Sequence, residues 1–311
     1  TTATPIINRV ASSGIVGASP NVMRFARELG VDLSQVHGTG RDGRVLEVDI
    51  KEHVKNIGSA SASKKNIVED MPYAHSEFGA IKVEKIPRIK RLSGPHLVNA
   101  WSTIPHVTQH DEIDVTEMET FRKNLTDLNT KEKIPITPIA FIIRALVNAM
   151  KRYPNFNSSI DPIKEEITFK KYFHIGIAVD TPHGLMVPKI RNVDKKKIKE
   201  IAEDLKNVSE LSKNLKINKK EFFGGSITIT SLGGIGGTYF TPIINYPEVA
   251  ILGVGRSYKK QIFIKDKFLA RTVLPISLSY DHRIIDGAEA AKFCNSLKDN
   301  LGKNFAYNLA F

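Results

Sequence analysis

Cysteine is almost absent from this chain, since Cys294 is the single one among 311 residues. One thiol cannot form an internal disulfide or a cysteine-rich metal site. Cys294 falls within a helical pattern near the C-terminus, and free cysteines are commonly buried, so we expect a packing residue rather than a catalytic thiol. The scarcity of cysteine suits a reducing cytoplasm.

The chain also lacks long apolar runs and a secretion signal. A membrane span needs about 18 or more consecutive apolar residues, and no such run occurs. The N-terminus lacks the basic-then-apolar pattern of a signal peptide, so we expect no membrane partner. Hydrophobic residues make up 41% of the chain, which is ordinary for a soluble globular protein. The length allows one large domain and a smaller one.

Acidic residues are too few to balance the basic ones, and the formal net charge is +12. Such an excess is compatible with nucleic-acid binding. The lysine clusters Lys195–Lys197, Lys219–Lys220 and Lys259–Lys260 are scattered, however, and no aromatic residues alternate with them. A basic surface without a nucleic-acid function is therefore favoured, and we expect no nucleic-acid partner.

The most informative stretch surrounds His282. The segment Val273–Ser279 is short, apolar and partly alternating, which predicts a strand, and the periodicity of Ala288–Leu301 predicts a helix. His282 therefore lies where a core strand gives way to a loop, and a rigid scaffold can present a side chain to a ligand from there. Asp286 follows four positions later. Taken alone, this pair also fits a loop histidine and a helix cap.

The wider stretch Ser279–Ala288 resembles the active-site signature of the dihydrolipoyl acyltransferases, the core subunits of the 2-oxo-acid dehydrogenase complexes. Its His-x-x-x-Asp-Gly part is shared with chloramphenicol acetyltransferase and its relatives. Further segments resemble the same acyltransferase domain, namely Pro154–Ser158, Gly176–Pro182, Gly184–Pro188, Gly233–Gly237, Pro242–Asn245 and Pro247–Gly253. Thr230–Gly234 and Thr241–Pro247 look most like the acetyltransferases of bacterial pyruvate dehydrogenase complexes.

The resemblance implies an α/β (α+β) sandwich like that of chloramphenicol acetyltransferase over residues 81–311. The mixture of helix and strand patterns in this region agrees with such a sandwich. An apolar helix over Ile139–Tyr153, ended by Pro154, is expected to be buried in it.

Residues 18–55 have the pattern of a separate small all-α unit. Ser19 and Pro20 mark the start of one helix, and a second helix is predicted near Glu47–Lys55. The loop Gly38–Gly43 between them lacks the Gly-Lys-Ser/Thr ending of a phosphate loop and follows no strand, so a phosphate site is not favoured. Small and polar residues predict linkers on both sides of this unit, at 1–17 and 56–80.

The small unit resembles the peripheral subunit-binding domain of the same acyltransferases. The resemblance implies that it binds pyruvate dehydrogenase and dihydrolipoamide dehydrogenase subunits through basic side chains. So many arginines on so small a unit favour a charged interface over merely solvated side chains. The candidates are Arg24, Arg27, Arg41 and Arg44.

The resemblance also assigns catalytic roles. His282 is the base that deprotonates coenzyme A, because a neutral thiol is a poor nucleophile. Thr230, at the Ser/Thr position of the family, donates to the oxyanion of the tetrahedral intermediate, and a strand-end threonine without function is the alternative. Asp286 is expected to hold the loop by an ion pair with Arg88, Lys90 or Arg91. Ser231 and Arg122 are expected to contact coenzyme A.

Two substrates and an assembly follow from the same resemblance. Coenzyme A or its acetyl ester is one substrate, and a lipoyl group is the other. The lipoyl attachment domain of the family is not found in the sequence, so either the chain is truncated or another chain supplies that group. The basic surface is suited to acidic partner proteins or to the phosphates of coenzyme A. Homotrimers are implied, with His282 and Thr230 from neighbouring subunits, assembled into a hollow core of the twenty-four-subunit type.

Two alternatives to acetyl transfer remain open from the sequence. One is the same reaction with a succinyl or branched-chain acyl group, since acyl selection depends on the shape of the pocket. The other is a non-catalytic assembly scaffold, which would not need the His282–Asp286 pair.

Overall fold

The structure, a computed structural model, describes residues 17–61, 73–126, 131–302 and 305–306, without the side chains of residues 55–61. The linker predicted at 1–17 thus lies outside the described residues apart from Gly17, and so does the stretch 62–72 of the second predicted linker. The chain divides into two compact units, Thr1–Val83 and Glu84–Phe311. Among the described residues, no helix is both long enough and apolar enough to cross a membrane.

The first unit contains helices α1 (Pro20–Glu28) and α2 (Glu47–Ser61). The hydroxyl of Ser19 accepts a hydrogen bond from the Val22 N–H at 3.4 Å, and Pro20 occupies a position whose missing N–H costs the helix nothing. Helix α2 extends six residues beyond the end predicted at Lys55. The small core of this unit consists of Ala26, Val36, Val45 and Ile50.

The larger unit alternates helices and strands. Its helices are α3 (Arg88–Thr103), α4 (Thr116–Asn124), α5 (Pro138–Arg152), α6 (Ile198–Lys213) and α7 (Gly287–Leu301). Its strands are β1 (His106–Asp114), β2 (Ser158–Asp161), β3 (Glu166–Phe169), β4 (Ile175–Ile177), β5 (Val179–Thr181), β6 (Gly184–Met186), β7 (Lys189–Ile190), β8 (Ile227–Ser231), β9 (Ala250–Val254), β10 (Tyr258–Ile264) and β11 (Lys267–Asp281).

Seven of these strands form one mixed sheet in the order β1-β11-β9-β8-β4-β7, with β10 paired to part of β11. Strand β8 runs parallel to both of its neighbours, β4 and β9, and the other pairs are antiparallel. Parallel neighbours need a crossover connection, which here includes helix α6 between β4 and β8. Strands β2 with β3 and β5 with β6 form two separate hairpins.

The two faces of the large sheet differ in chemistry because side chains alternate along each strand. On one face, Ile276, Leu278 and Tyr280 of β11 join the main hydrophobic core, together with residues of α5 and α7. Ten of the fifteen residues of α5 are buried, as its apolar sequence predicts. The opposite face carries buried polar residues, among them Ser277 and Ser279 of β11 and Thr228 of β8.

Two predicted strands differ from the observed ones. The pattern of Tyr172–Val179 predicts one strand, but β4 covers only Ile175–Ile177 of it, and Val179 belongs to the separate β5–β6 hairpin. Strand β11 begins at Lys267, six residues before the predicted start at Val273, because that extension pairs with β10. The polar sequence Lys259–Gln261 of β10 gave no apolar alternation from which this hairpin could be predicted.

Candidate active site

The loop that carries His282 is held by backbone hydrogen bonds on every side. The Asp281 N–H donates to the Val249 carbonyl at 2.9 Å, and the His282 N–H donates to the Pro105 carbonyl at 3.1 Å. The carbonyl of Asp281 accepts from the N–H groups of Ile284 and Ile285, at 3.1 and 3.0 Å. The imidazole itself is exposed. The fold therefore fixes the backbone at this position and leaves the ring accessible.

A carboxylate and a guanidinium flank His282 and bind each other. Arg283 donates from Nε to Oδ1 of Asp281 at 2.9 Å and from Nη2 to Oδ2 at 2.6 Å. This hydrogen bonding raises the pKa of Arg283. Asp281 is buried, so the bidentate pair satisfies a carboxylate that would otherwise be costly to bury. This pair was not predicted from the sequence, although an aspartate directly precedes the histidine and an arginine directly follows it.

Asp286 caps helix α7. Its Oδ1 accepts a hydrogen bond from the Glu289 N–H at 2.7 Å, which satisfies one of the free donors at the helix start. Within the described residues of this chain, no ion pair joins Asp286 to Arg88, Lys90 or Arg91. The structure therefore gives Asp286 the capping role at the end of the His282 loop in place of the expected ion pair.

A second histidine lies at the base of the same loop. His106 pairs with Asp281 across β1 and β11. Its Nε2 accepts from the Ile244 N–H at 3.0 Å, so the ring proton resides on Nδ1, which donates to the Ile104 carbonyl at 2.8 Å. His106 thereby ties the chain at Ile244 to β1, next to His282. No local sequence pattern predicts this role, because His106 and Ile244 are far apart in the chain.

Thr230 lies near the end of β8 on the polar face of the sheet, where it is partly exposed. It pairs with Gly253 of β9, which pairs with Ser277 of β11. His282 is five residues further along from Ser277. At about 3.3 Å per residue along a strand and about 4.8 Å between strands, the Cα atoms of Thr230 and His282 are roughly 19 Å apart. The two side chains of one chain therefore do not meet.

Beneath Thr230, the same face holds a buried ion pair. Lys189 Nζ lies 2.6 Å from Glu248 Oε1, with both side chains almost completely buried. The hydroxyl of Thr228, two residues before Thr230, donates to Glu248 Oε2 at 2.6 Å. A Cβ on Gly176 would lie 2.7 Å from Lys189 Nζ, and one on Gly225 would lie 2.2 Å from Glu248 Oε1. Both glycines are therefore needed to make room for the pair.

A third charged group lies close by and is partly buried. Lys170 donates from Nζ to the carbonyls of Ser158 and Gly225, both at 2.9 Å. Burial lowers the pKa of Lys170 to about 8. Lys170 thus links β2 to the turn before β8, and Glu248 links β7 and β8 to the turn before β9 through Lys189 and Thr228. These polar contacts fix the strand that carries Thr230.

Removing one partner of the buried Lys189–Glu248 pair is expected to destabilise the fold. Glu248→Leu leaves the Lys189 ammonium buried without its counter-charge, and we expect the free energy of unfolding to fall by about 3–5 kcal/mol. The double variant Lys189→Met/Glu248→Leu buries no charge and should unfold close to the wild-type value. Urea denaturation of the full chain measures both. For comparison, Glu221→Leu breaks the more exposed pair with Arg191 and should cost about 1 kcal/mol or less. Equal losses for the single and double variants at the buried pair would contradict this assignment.

The two residues expected to contact coenzyme A lie in different settings. Ser231 ends β8 and lines a cavity of about 1050 Å³, together with Ala178, Asp180 and Gly234. The cavity lies at the carboxyl ends of the parallel strands β4 and β8, where ligands of α/β sheets commonly bind. Arg122, by contrast, donates from Nε and Nη2 to Glu119, at 3.0 and 2.8 Å. It also donates to the Ile136 carbonyl at 3.0 Å, so its guanidinium is already engaged within α4 and the following loop.

In the first unit, the glycine-rich loop closes on a carboxylate. Thr39 donates from its N–H and its hydroxyl to Asp49, at 3.0 and 2.6 Å, and the Leu46 N–H donates to the same side chain at 2.9 Å. These bonds, with the Thr39 hydroxyl first, lower the pKa of Asp49. A Cβ on Gly38 would lie only 2.4 Å from the Gly43 carbonyl. The glycines thus allow a tight loop that closes on the Asp49 carboxylate.

The four arginines predicted to bind partner enzymes are all exposed on this unit. Arg24 lies 3.6 Å from Glu28 one helical turn away, a weak exposed contact. The arginines are thus accessible to an acidic surface.

Comparison with known proteins identifies the family. Residues 78–307 match the family described as 2-oxoacid dehydrogenases acyltransferase (catalytic domain). The chain belongs to this family. Residues 16–51 match the E3 binding domain family. The resemblance inferred from the Ser279–Ala288 signature is therefore confirmed.

Similar proteins agree with this family. The dihydrolipoyllysine-residue acetyltransferase component of the pyruvate dehydrogenase complex from Cupriavidus necator is 45% identical over 90% of this chain. The corresponding component from Haemophilus influenzae is 43% identical over 92% of the chain. The chain spans 54% of the length of each of these two proteins.

Solved structures confirm the predicted fold of the larger unit. The dihydrolipoamide acetyltransferase of Azotobacter vinelandii is 41% identical with a TM-score of 0.73, and the match covers 76% of this chain and 97% of that one. A structure of the cubic core of the pyruvate dehydrogenase multienzyme complex matches equally well, with 40% identity and a TM-score of 0.73 over the same shares of the two chains.

Proposed function

We propose that this protein is a dihydrolipoamide acetyltransferase that moves an acetyl group between a dihydrolipoyl group and coenzyme A within a pyruvate dehydrogenase complex. The names of the relatives from Cupriavidus necator and Haemophilus influenzae support acetyl as the acyl group. They support it over the succinyl and branched-chain alternatives.

One observation carries the proposal. The Azotobacter vinelandii structure belongs to a study of the role of a serine, a histidine and an asparagine in the catalytic mechanism of that enzyme. There the histidine follows the serine by 52 positions, and the asparagine follows the histidine by four. In this chain His282 follows Thr230 by 52 positions, and Asp286 follows His282 by four. At the position of that serine this chain has Thr230, which also carries a hydroxyl group. At the position of that asparagine it has Asp286, whose carboxylate caps α7.

The proposed mechanism uses these side chains in order. His282 takes the proton from the thiol of coenzyme A, because only the thiolate is an effective nucleophile. The new sulfur–carbon bond forms as the carbonyl becomes an oxyanion, which the Thr230 hydroxyl stabilises. The bond to the dihydrolipoyl sulfur then breaks, and His282 returns its proton to that leaving sulfur.

The geometry supports a site built from two chains. Because Thr230 and His282 of one chain are roughly 19 Å apart, they can act on one carbonyl only if neighbouring subunits contribute one each. We therefore propose a homotrimer with its sites between subunits, assembled into a larger core. The match to a cubic core of a pyruvate dehydrogenase complex supports that assembly.

The small unit is proposed to bind the pyruvate dehydrogenase and dihydrolipoamide dehydrogenase subunits through its arginines. Charge reversal by Arg27→Glu/Arg44→Glu should weaken binding by about tenfold or more, because like charges then face each other across the interface. Calorimetry with each partner enzyme measures the change. The matched variant Arg27→Lys/Arg44→Lys keeps the charge and should retain most of the affinity. Unchanged affinity of the reversed variant for both partners would place the interface elsewhere.

The reaction itself is tested by transfer from acetyl, succinyl and isobutyryl esters of coenzyme A to free dihydrolipoamide. We expect acetyl to have the highest kcat/KM. A preference for succinyl or isobutyryl would replace acetyl by that acyl group. No transfer of any of the three would favour the non-catalytic scaffold.

A further inference from the structure

We infer that His106 is a positioning residue for His282, which acts through the backbone and not on the substrate. The inference rests on the proposed acyl transfer and adds a residue to its site. His106 is the first residue of β1 and the direct partner of Asp281 on β11, so it lies beside the residue that precedes His282. Its side chain is partly buried.

Both nitrogens of the His106 ring are in use. A neutral imidazole has one donor and one acceptor. Nδ1 donates to the Ile104 carbonyl at 2.8 Å, and Nε2 accepts from the Ile244 N–H at 3.0 Å. The ring also packs against Trp101, with the two ring centroids 5.4 Å apart. Because neither nitrogen is free while these bonds exist, His106 cannot itself serve as the base for coenzyme A.

The bond to Ile244 joins two segments that are far apart in the sequence. The first segment is residues 104–106, and the second segment is residues 244–249. Ile104 and Ile244 are buried in one small apolar cluster with Ala100 and Ile251, so the two segments already meet there. Apolar contacts are non-directional, whereas a hydrogen bond has a preferred distance and angle. The bond from Ile244 to His106 therefore sets the position of one segment relative to the other.

The backbone of the His282 loop is bound to these same two segments. The His282 N–H donates to the carbonyl of Pro105, in the first segment, at 3.1 Å. The Asp281 N–H donates to the carbonyl of Val249, at the end of the second segment, at 2.9 Å. Two consecutive amides of the loop thus bind carbonyls of the two segments that His106 joins. A shift of one segment relative to the other would turn the peptide that carries the His282 side chain.

The second segment is held internally, so its two ends move together. The Tyr246 N–H donates to the Ile244 carbonyl at 3.1 Å, and the Glu248 N–H donates to the Asn245 carbonyl at 3.0 Å. The side chain of Asn245 also donates to Glu248 Oε1 at 2.9 Å. Loss of the bond at Ile244 should therefore displace the Val249 carbonyl, on which the catalytic loop depends.

Three variants of the full chain at position 106 test this role. His106→Ala removes both bonds of the ring. In His106→Asn the side-chain amide can replace Nδ1 and keep the bond to Ile104, but it is too short to reach Ile244. In His106→Gln the amide oxygen can replace Nε2 and accept from the Ile244 N–H.

The expected result is a loss in kcat with little change in KM. For transfer from acetyl-CoA to dihydrolipoamide, kcat should fall by about 10- to 100-fold in His106→Ala and His106→Asn, because a small misplacement of a catalytic group can cost about 100-fold. KM should change by less than about threefold, since no substrate contact is lost. His106→Gln should restore most of the wild-type kcat. His106→Asn decides the matter if the alanine variant does not fold.

A matched control separates positioning from general stability. His174 also accepts a backbone N–H with Nδ1, from Asn192 at 3.1 Å, but this bond joins the residues before β4 to those after β7. His174→Ala should keep the wild-type kcat, and thermal unfolding checks that each variant is folded. If kcat falls no further in folded His106→Asn than in His174→Ala, or if the glutamine variant loses as much as the asparagine variant, His106 is only a packing residue and the inference is overturned.

A second measurement does not depend on activity. Hydrogen–deuterium exchange of the peptide that contains Asp281 and His282 reports how firmly the loop is held. His106→Asn should speed this exchange by about 3- to 10-fold, the change expected when one hydrogen bond is lost, and His106→Gln should not. Unchanged exchange in the asparagine variant overturns the inference whether or not the wild type is active. If the exchange responds but the wild type transfers no acetyl group, the proposed function fails and the hold of His106 on the loop is supported.

Discussion

His282→Ala is expected to lower acetyl transfer by about 10²–10⁴-fold, because the variant loses the base that generates the coenzyme A thiolate. The backbone of the loop should survive the change. Its hydrogen bonds to Val249 and Pro105 use main-chain N–H groups, and the imidazole itself is exposed. Steady-state transfer to dihydrolipoamide measures the loss, and thermal unfolding checks that the fold is intact.

The pH dependence of this loss distinguishes a base from a merely structural residue. The free thiol has a pKa of about 8.5, so thiolate forms without a base as the pH rises above that value. The deficit of His282→Ala should therefore shrink at high pH, whereas a folding defect would persist. His96→Ala, at another exposed histidine on α3, is the matched control and should be active. Near-normal turnover of His282→Ala at neutral pH would rule out the mechanism.

Two inactive variants should restore activity when they are combined. Thr230→Ala alone should lose about 10²–10³-fold in turnover, since it lacks the oxyanion donor. Because Thr230 and His282 of one chain are roughly 19 Å apart, each site needs one residue from each of two chains. In a trimer of randomly mixed His282→Ala and Thr230→Ala chains, about a quarter of the head-to-tail interfaces pair an intact His282 with an intact Thr230.

The experiment refolds the two variants together and assays transfer, with each variant refolded alone under the same conditions. We expect the mixture to recover up to about a quarter of the wild-type activity, far above either control. Mass measurement must show that the trimers contain both variants. Activity no higher than the average of the two controls, in trimers shown to be mixed, would mean that one chain carries a complete site.

Local sequence patterns were sufficient to predict those features of the molecule that depend on residues close together in the chain. The strand-loop-helix order around His282 follows from an apolar strand, a short polar loop and a periodic helix, and α7 starts at Gly287 directly after its cap. The Ser19–Pro20 start of α1 is likewise a matter of a few adjacent residues. The family also follows from contiguous residues, because Ser279–Ala288 forms one short segment of the chain.

Other features depend on residues far apart in the sequence, and only the tertiary structure decided them. Lys189 has the pattern of a surface lysine, yet it is buried. Its burial is possible because Glu248, 59 residues further along the chain, lies 2.6 Å from its ammonium group. The Phe240 ring packs against β9 only because Gly253 has no side chain. The separation of Thr230 from His282 follows from the strand order β11-β9-β8. Periodicity along one strand carries no information about which strand becomes its neighbour, so the sequence alone does not specify these contacts.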